Sequence, residues 1–148
     1  MNVNEIYMEI YNTLRELVEL EDTINMVILS DPTGELIHYA SRKQGDDETK
    51  IRMASATIAA TFGGAQVIGD DFSLEEPKFL IYEFKGGNLI ITKCAMNTTL
   101  SIITNNEANL GTLRVLARKY AEKLGELIQK LYAIMEEELK TTKIEGGL

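Results

Sequence analysis

One histidine, His38, and one cysteine, Cys94, make up the chain's whole supply of imidazole and thiol. A metal centre needs three or four ligands of matched chemistry, and this pair falls short of that count. His38 therefore reads as a surface or half-buried strand residue. Cys94 lies in an apolar run, where burial raises a thiol pKa and blunts its nucleophilicity, so it reads as inert. The acidic groups Asp46-Asp47, Asp70-Asp71 and Glu136-Glu137-Glu138 lack the spacing of a calcium loop and read as solvated caps and termini. Neither Gly63-Gly64 nor Gly86-Gly87 belongs to a G-x-x-x-x-G-K-[ST] phosphate loop, and Lys85 precedes its glycines. We expect no catalytic group, no metal and no cofactor, which leaves surfaces to carry the function.

Composition narrows the kind of surface. The chain has 148 residues, enough for one domain with its own core, and a formal net charge of −8. Nucleic-acid binding draws affinity from Lys and Arg displacing counterions, so this charge argues against nucleic acid and against anionic membrane. A lone cysteine cannot form an internal disulfide, and a reducing cytoplasm is the simplest compartment. Glu5, Glu9, Arg15, Glu16 and Glu19 interrupt the first twenty residues, which argues against a signal peptide. No run approaches the roughly 18 apolar residues of a membrane span, so no membrane insertion is expected.

The elements that must form such a surface are readable from periodicity. Ile6, Ile10, Leu14, Leu17 and Val18 recur at helical steps with charges between them, which predicts an amphipathic first helix. Thr23 to Leu29 and Leu36 to Ala40 read as two strands joined by the turn Asp31-Pro32-Thr33-Gly34. A second helix is expected from about Glu48 to Ile68. It has a core stripe of Ile51, Ile58, Phe62 and Ala65 and, on another face, Ala56, Ala60 and Gly64 at four-residue steps. Such small side chains suit close backbone approach, either to the helix's own sheet or to another helix.

Lys78 to Phe84, Leu89 to Ala95 and Thr99 to Thr104 read as three further strands, with Lys85-Gly86-Gly87-Asn88 and Met96-Asn97-Thr98 as turns. The third helix opens near Asn109, a preferred N-cap residue, and carries Leu113, Leu116, Ala117, Tyr120, Leu124, Leu127, Leu131 and Ile134 on one side. We expect a single domain over residues 1–140 and a flexible tail over 141–148. Hairpins force mostly antiparallel pairing, so the order helix, two strands, helix, three strands, helix defines an α+β fold.

Over about residues 5 to 130 the chain resembles the Roadblock/dynein light chain family. The resemblance rests on this element order, on Asp31-x-x-Gly34 between the first strands, and on the Ala- and Gly-rich helix ending Phe62-Gly63-Gly64. Asn109-Leu110-Gly111-x-x-Arg114 at the start of the last helix completes it. It implies a five-stranded sheet with one helix on one face and two on the other. It also implies a homodimer in which third strands pair edge to edge and second helices lie side by side. Met53, Ala56, Ala60, Gly64 and Val67 would then line the helix contact, and Leu80 and Tyr82 the strand contact. An apolar edge such as Phe79 to Phe84, without Pro, is an aggregation hazard unless another strand covers it.

The same resemblance implies a small Ras-like GTPase as partner, docked on the paired helices. Lys50, Arg52 and Thr57 are the residues that would face it. The chain would regulate or scaffold that partner without catalytic residues of its own. Two readings from other classes stand beside this one. A small-ligand sensory module would need a cavity lined by Phe62, Phe72 and Phe79, and a structural adaptor would use the long last helix as a handle.

Overall fold

In the computed structural model, which describes residues 1–146 apart from the side chains of residues 144 and 145, three α-helices form two layers on a central sheet of five strands, with one 3-10 turn at Ala95–Asn97. Helix α1, Val3–Leu20, starts at Asn2, whose side chain accepts a hydrogen bond from Glu5 N at 2.8 Å. Strands β1, Ile24–Ser30, and β2, Leu36–Ser41, follow as a hairpin. Its turn is organised by Asp31, whose Oδ1 accepts from Thr33 N, Thr33 Oγ1 and Glu35 N. Gly34 takes φ +93°, a conformation that a side chain resists.

Helix α2, Glu48–Asp71, is capped by Asp47, and it outruns the expected end at Ile68 by three residues. Gly69 does not end it. A Cβ at that position would collide with the Glu75 carbonyl oxygen, so glycine there serves the close return of the chain. Strands β3, Phe79–Phe84, β4, Gly87–Lys93, and β5, Thr99–Asn105, complete the sheet. Met96 and Asn97, both at positive φ, make the turn between β4 and β5. Helix α3 runs Leu110–Gly146, with Asn109 Oδ1 accepting from Thr112 N at 3.0 Å. Residues 141–146, assigned to a tail from the sequence, continue this helix, and 147–148 lie outside the described residues.

The strand order is β2-β1-β5-β4-β3 and every pairing is antiparallel. One face of the sheet packs against α1 and α3 through Ile6, Ile10, Leu17, Val27, Ile102 and Tyr120, all fully buried. The third-helix stripe is centred on Leu113, Ala117, Tyr120, Leu124, Ile128 and Leu131; Leu116, Leu127 and Ile134 flank it half-buried. The other face packs against α2 alone, through Ile28, Ile51, Ile58, Phe62 and Ile91. A single helix cannot cover five strands. Helix α2 lies over β1 and β2 and leaves the β3 side of that face open.

Candidate docking surface

Helix α2 is fixed from below by a polar tie. The buried Ser55 hydroxyl lies 2.7 Å from Ser30 Oγ and 2.9 Å from the Gly34 carbonyl, joining the helix to β1 and to its turn. Above that seat the helix presents three stripes set by the 3.6-residue period. Met53, Ala60, Gly64 and Val67 form the outer ridge, with Met53 68% and Val67 58% exposed. Arg52, Ala56 and Gly63 lie on the flank toward β2. Lys50, Ala54, Thr57, Thr61 and Ile68 lie on the flank toward β3.

The flank toward β3 borders a trough of about 630 Å³, floored by Leu89, Ile91 and Ile103 and walled by Thr57 and Thr61 on one side and Tyr82 and Phe84 on the other. Leu80, Tyr82 and Phe84 alternate along β3 and share the α2 face, while Phe79 and Ile81 pack toward α1 and α3. Tyr82 is 40% and Phe84 61% exposed at an unpaired sheet edge. Arg114 of α3 sits 5.5 Å from the Phe79 ring centroid and braces the strand from the opposite face.

These placements divide the residues singled out in the sequence. Met53, Ala60, Gly64 and Val67 share one exposed ridge; Tyr82 lies across the trough from it, and Leu80, on the same strand face, packs against the core beneath α2. Ala56 is exposed on the β2 flank, and its backbone is where the helix meets the β1–β2 turn: a Cβ built on Gly34 would come 3.0 Å from the Ala56 Cα, which accounts for the glycine at 34. Lys50 and Arg52 lie on opposite flanks of α2. Lys50 sits on the β3 flank with Thr57, while Arg52 faces β2, 3.7 Å from Glu48. Thr57 donates to Met53 O and lines the trough. Ala54, Thr61, Ile68 and Phe84 belong to the same surface and were not singled out. Phe84 was findable by extending the Leu80, Tyr82 alternation two more residues.

The groups with chemical potential lie elsewhere and are not assembled. Burial pushes the Cys94 thiol up to about 12. His38 is half-buried, its ring centroid 5.2 Å from that of Tyr11, and desolvation lowers its pKa below the usual value. Among the described residues no three His, Cys, Asp or Glu side chains cluster as metal ligands. No described helix is long and apolar enough to cross a membrane. Phe62, Phe72 and Phe79 share no cavity: Phe62 is buried beneath α2, Phe72 is exposed after its end, and Phe79 packs on the opposite face of the sheet.

No protein-family model and no curated protein matches the sequence. Solved structures do. The chain superposes on Myxococcus xanthus MglB with a TM-score of 0.75 at 20% identity, covering 84% of this chain and 91% of that one. The gliding protein mglB of Thermus thermophilus gives 0.76 at 12% identity, covering 84% and 92%. A Roadblock/LC7 domain from Streptomyces avermitilis gives 0.73 at 13% identity, covering 80% and 97%. The fold is that of the Roadblock/LC7 domain. Within this Roadblock fold, the half-covered sheet face and the bare β3 edge are adjacent, so one surface combines an unpaired strand, a trough and a ridge of small residues.

Proposed function

We propose that the chain is a homodimeric, non-catalytic regulator in the cytoplasm that binds a small Ras-like GTPase and modulates its nucleotide state or location. The observation that carries this reading is the open half of the α2 face. Apolar floor residues Leu89, Ile91 and Ile103 lie beside an unpaired strand, under a helix whose exposed ridge is built from Ala60 and Gly64. Pairing β3 with its own copy satisfies the edge and carries a second α2 over the trough, so each patch meets itself about a two-fold axis. The joined helices then offer a continuous floor. Lys50, on the trough flank, moves toward the dimer centre in this arrangement, whereas Arg52 stays at the outer rim. Regulation without catalysis fits side chains such as Cys94, which are buried and uncharged at neutral pH. The GTPase itself is inferred from the sequence resemblance.

The test is a pull-down with the purified protein from its source lysate, run in parallel with GDP and with a non-hydrolysable GTP analogue. Retained proteins are identified by mass spectrometry. Nucleotide-dependent recovery of a small Ras-like GTPase is the expected outcome. Its absence under both nucleotides rejects the GTPase reading and leaves the fold and the dimer standing.

A further inference from the structure

The sheet has a second edge, and pairing through β3 leaves it bare. Strand β2 hydrogen-bonds to β1 on one side and to no strand on the other. Arg42 N donates to Asn25 O at 2.8 Å, which fixes the alternation of the ladder: Ala40 and His38 turn their backbone groups toward β1, and Ser41 and Tyr39 turn theirs outward. Arg15 confirms the direction, because its Nη1 reaches round from α1 to donate to the outward Ser41 carbonyl at 2.6 Å. The Tyr39 N–H and C=O and the Ser41 N–H remain on the open side. Arg15 caps this edge at the Ser41 carbonyl alone; β2 contains no proline, and the register shift lies at the Leu29/Ser30 end.

A groove of about 830 Å³ runs along the edge, walled on one side by Tyr11 and Arg15 of α1 and on the other by Glu48 and Arg52 of α2. Its charge opposes that of the molecule. Arg15, Arg42, Lys43 and Arg52 line it against Asp46 and Glu48, a local excess of cations in a chain of formal net charge −8. Arg42 is spent on the carbonyls of Val18, Glu21 and Ile24, and so anchors the loop after β2 to the end of α1. The ion-pair partners of Arg52 and Arg15 are exposed carboxylates on their own helices, Glu48 and Glu19, and Arg15 keeps its Nη1 on the Ser41 carbonyl. Such pairs contribute little and exchange readily.

We propose that the β2 edge binds an extended acidic peptide segment of a partner protein as a sixth strand. The outward groups of Tyr39 and Ser41 supply main-chain hydrogen bonds, and Lys43, Arg15 and Arg52 meet carboxylates that alternate to the two faces of the added strand. Charge complementarity selects the occupant: the molecule as a whole carries a formal net charge of −8, whereas this groove is lined by four cationic side chains against two acidic ones. The site is independent of the GTPase reading and lies at the far end of the sheet from the β3 edge.

Fluorescence anisotropy with a labelled peptide of about eight alternating Glu and Val residues tests it, with the Lys-for-Glu peptide as control. Saturable binding of the acidic peptide is expected, weakened tenfold or more by Lys43→Glu with Arg52→Glu. Tyr39→Pro removes an outward N–H that the ladder to β1 does not use, and with it a ring packed against the core beneath α2. Tyr39→Ala, which loses the ring alone, is the control: peptide binding should be lost in the Pro variant and kept in the Ala variant. Circular dichroism verifies that both variants are folded. Amide NMR shifts on peptide addition keep the test decisive if either is not, because they must fall on Tyr39 and Ser41. Equal binding of the Lys peptide, binding retained by folded Tyr39→Pro, or shifts confined to α2 or β3 would overturn the proposal. So would displacement by inorganic phosphate alone, which would mark a plain anion site.

Discussion

Gly63 and Gly64 are adjacent on α2 and lean to opposite flanks of it, which makes them a matched pair of probes. A Cβ built on either meets no atom within 4 Å in the single chain. Each is an exposed glycine inside a helix, and replacing it with Ala should raise the stability of the isolated chain by about 0.8–1.0 kcal/mol. The dimer separates them. Gly64 leans toward the trough, where a second α2 would lie, and Gly63 leans toward the β1–β2 turn. Inserting a methyl group into a packed contact costs about 1–3 kcal/mol, and two-fold symmetry inserts it twice, so Gly64→Ala should cost the dimer about 2–6 kcal/mol. At 1.4 kcal/mol per tenfold, that is a dissociation constant raised by roughly 30-fold or more. Gly63→Ala should leave it unchanged. Sedimentation velocity over a concentration series gives the dimer constant, and urea unfolding of the dilute protein gives chain stability. If both variants gain stability and both keep the wild-type dimer constant, the small-residue ridge is not a helix contact.

Three further outcomes follow from the geometry. Ser55→Ala removes the tie between α2 and the β1–β2 turn and leaves Ser30 Oγ and the Gly34 carbonyl buried without it; urea unfolding should show a loss of about 1–3 kcal/mol, and a loss under about 0.5 kcal/mol would contradict that role. Burial, and then its hydrogen bond to Glu16, push the Tyr120 phenol up to about 12, whereas the unfolded chain titrates near 10. Its contribution is therefore complete below pH 10 and lost as pH rises from about 10 to 12, with a slope approaching 1.4 kcal/mol per pH unit; Tyr120→Phe should flatten that alkaline limb in pH-dependent denaturation. Met96 holds φ 58° in the β4–β5 turn with its side chain exposed, so Met96→Gly should raise the thermal midpoint, the relief being about 1 kcal/mol, and a lowered midpoint would show that the side chain matters more than the backbone.

Much of the scaffold was legible because its signals are local. Ile6, Ile10, Leu14, Leu17 and Val18 are all buried as their spacing predicts, and Asp47 and Asn109 cap the helices that follow them. Errors arise where tertiary contacts override local rules. Gly69 resembles a helix stop and is instead a helical residue pressed against the Glu75 carbonyl. Ile128 enters the core between Leu124 and Leu131 while Leu127 stays half-buried, a choice made by the face that α1 and the sheet present to α3. The docking surface was legible only as a set of angles round α2. Periodicity groups Lys50 with Thr57 and Arg52 with Ala56, yet nothing local says which flank faces β3 and which faces the Gly34 turn. Gly34 shows the consequence: in sequence it reads only as a turn residue, and in the fold its missing Cβ is also what lets the turn approach the Ala56 backbone of α2.

The edge pairing of β3 can be read amide by amide. Phe84 and Gly87 close the β3–β4 hairpin round Lys85-Gly86, so Phe84, Tyr82 and Leu80 direct their backbone groups to β4, and Glu83 and Ile81 direct theirs outward. Hydrogen exchange followed by NMR at dimer-forming concentration should find the Ile81 and Glu83 amides protected to the same degree as those of Leu80 and Tyr82, with protection falling on dilution. Fast exchange at Ile81 and Glu83 beside slow exchange at Leu80 and Tyr82, at every concentration, would show a free edge and contradict the two-fold platform.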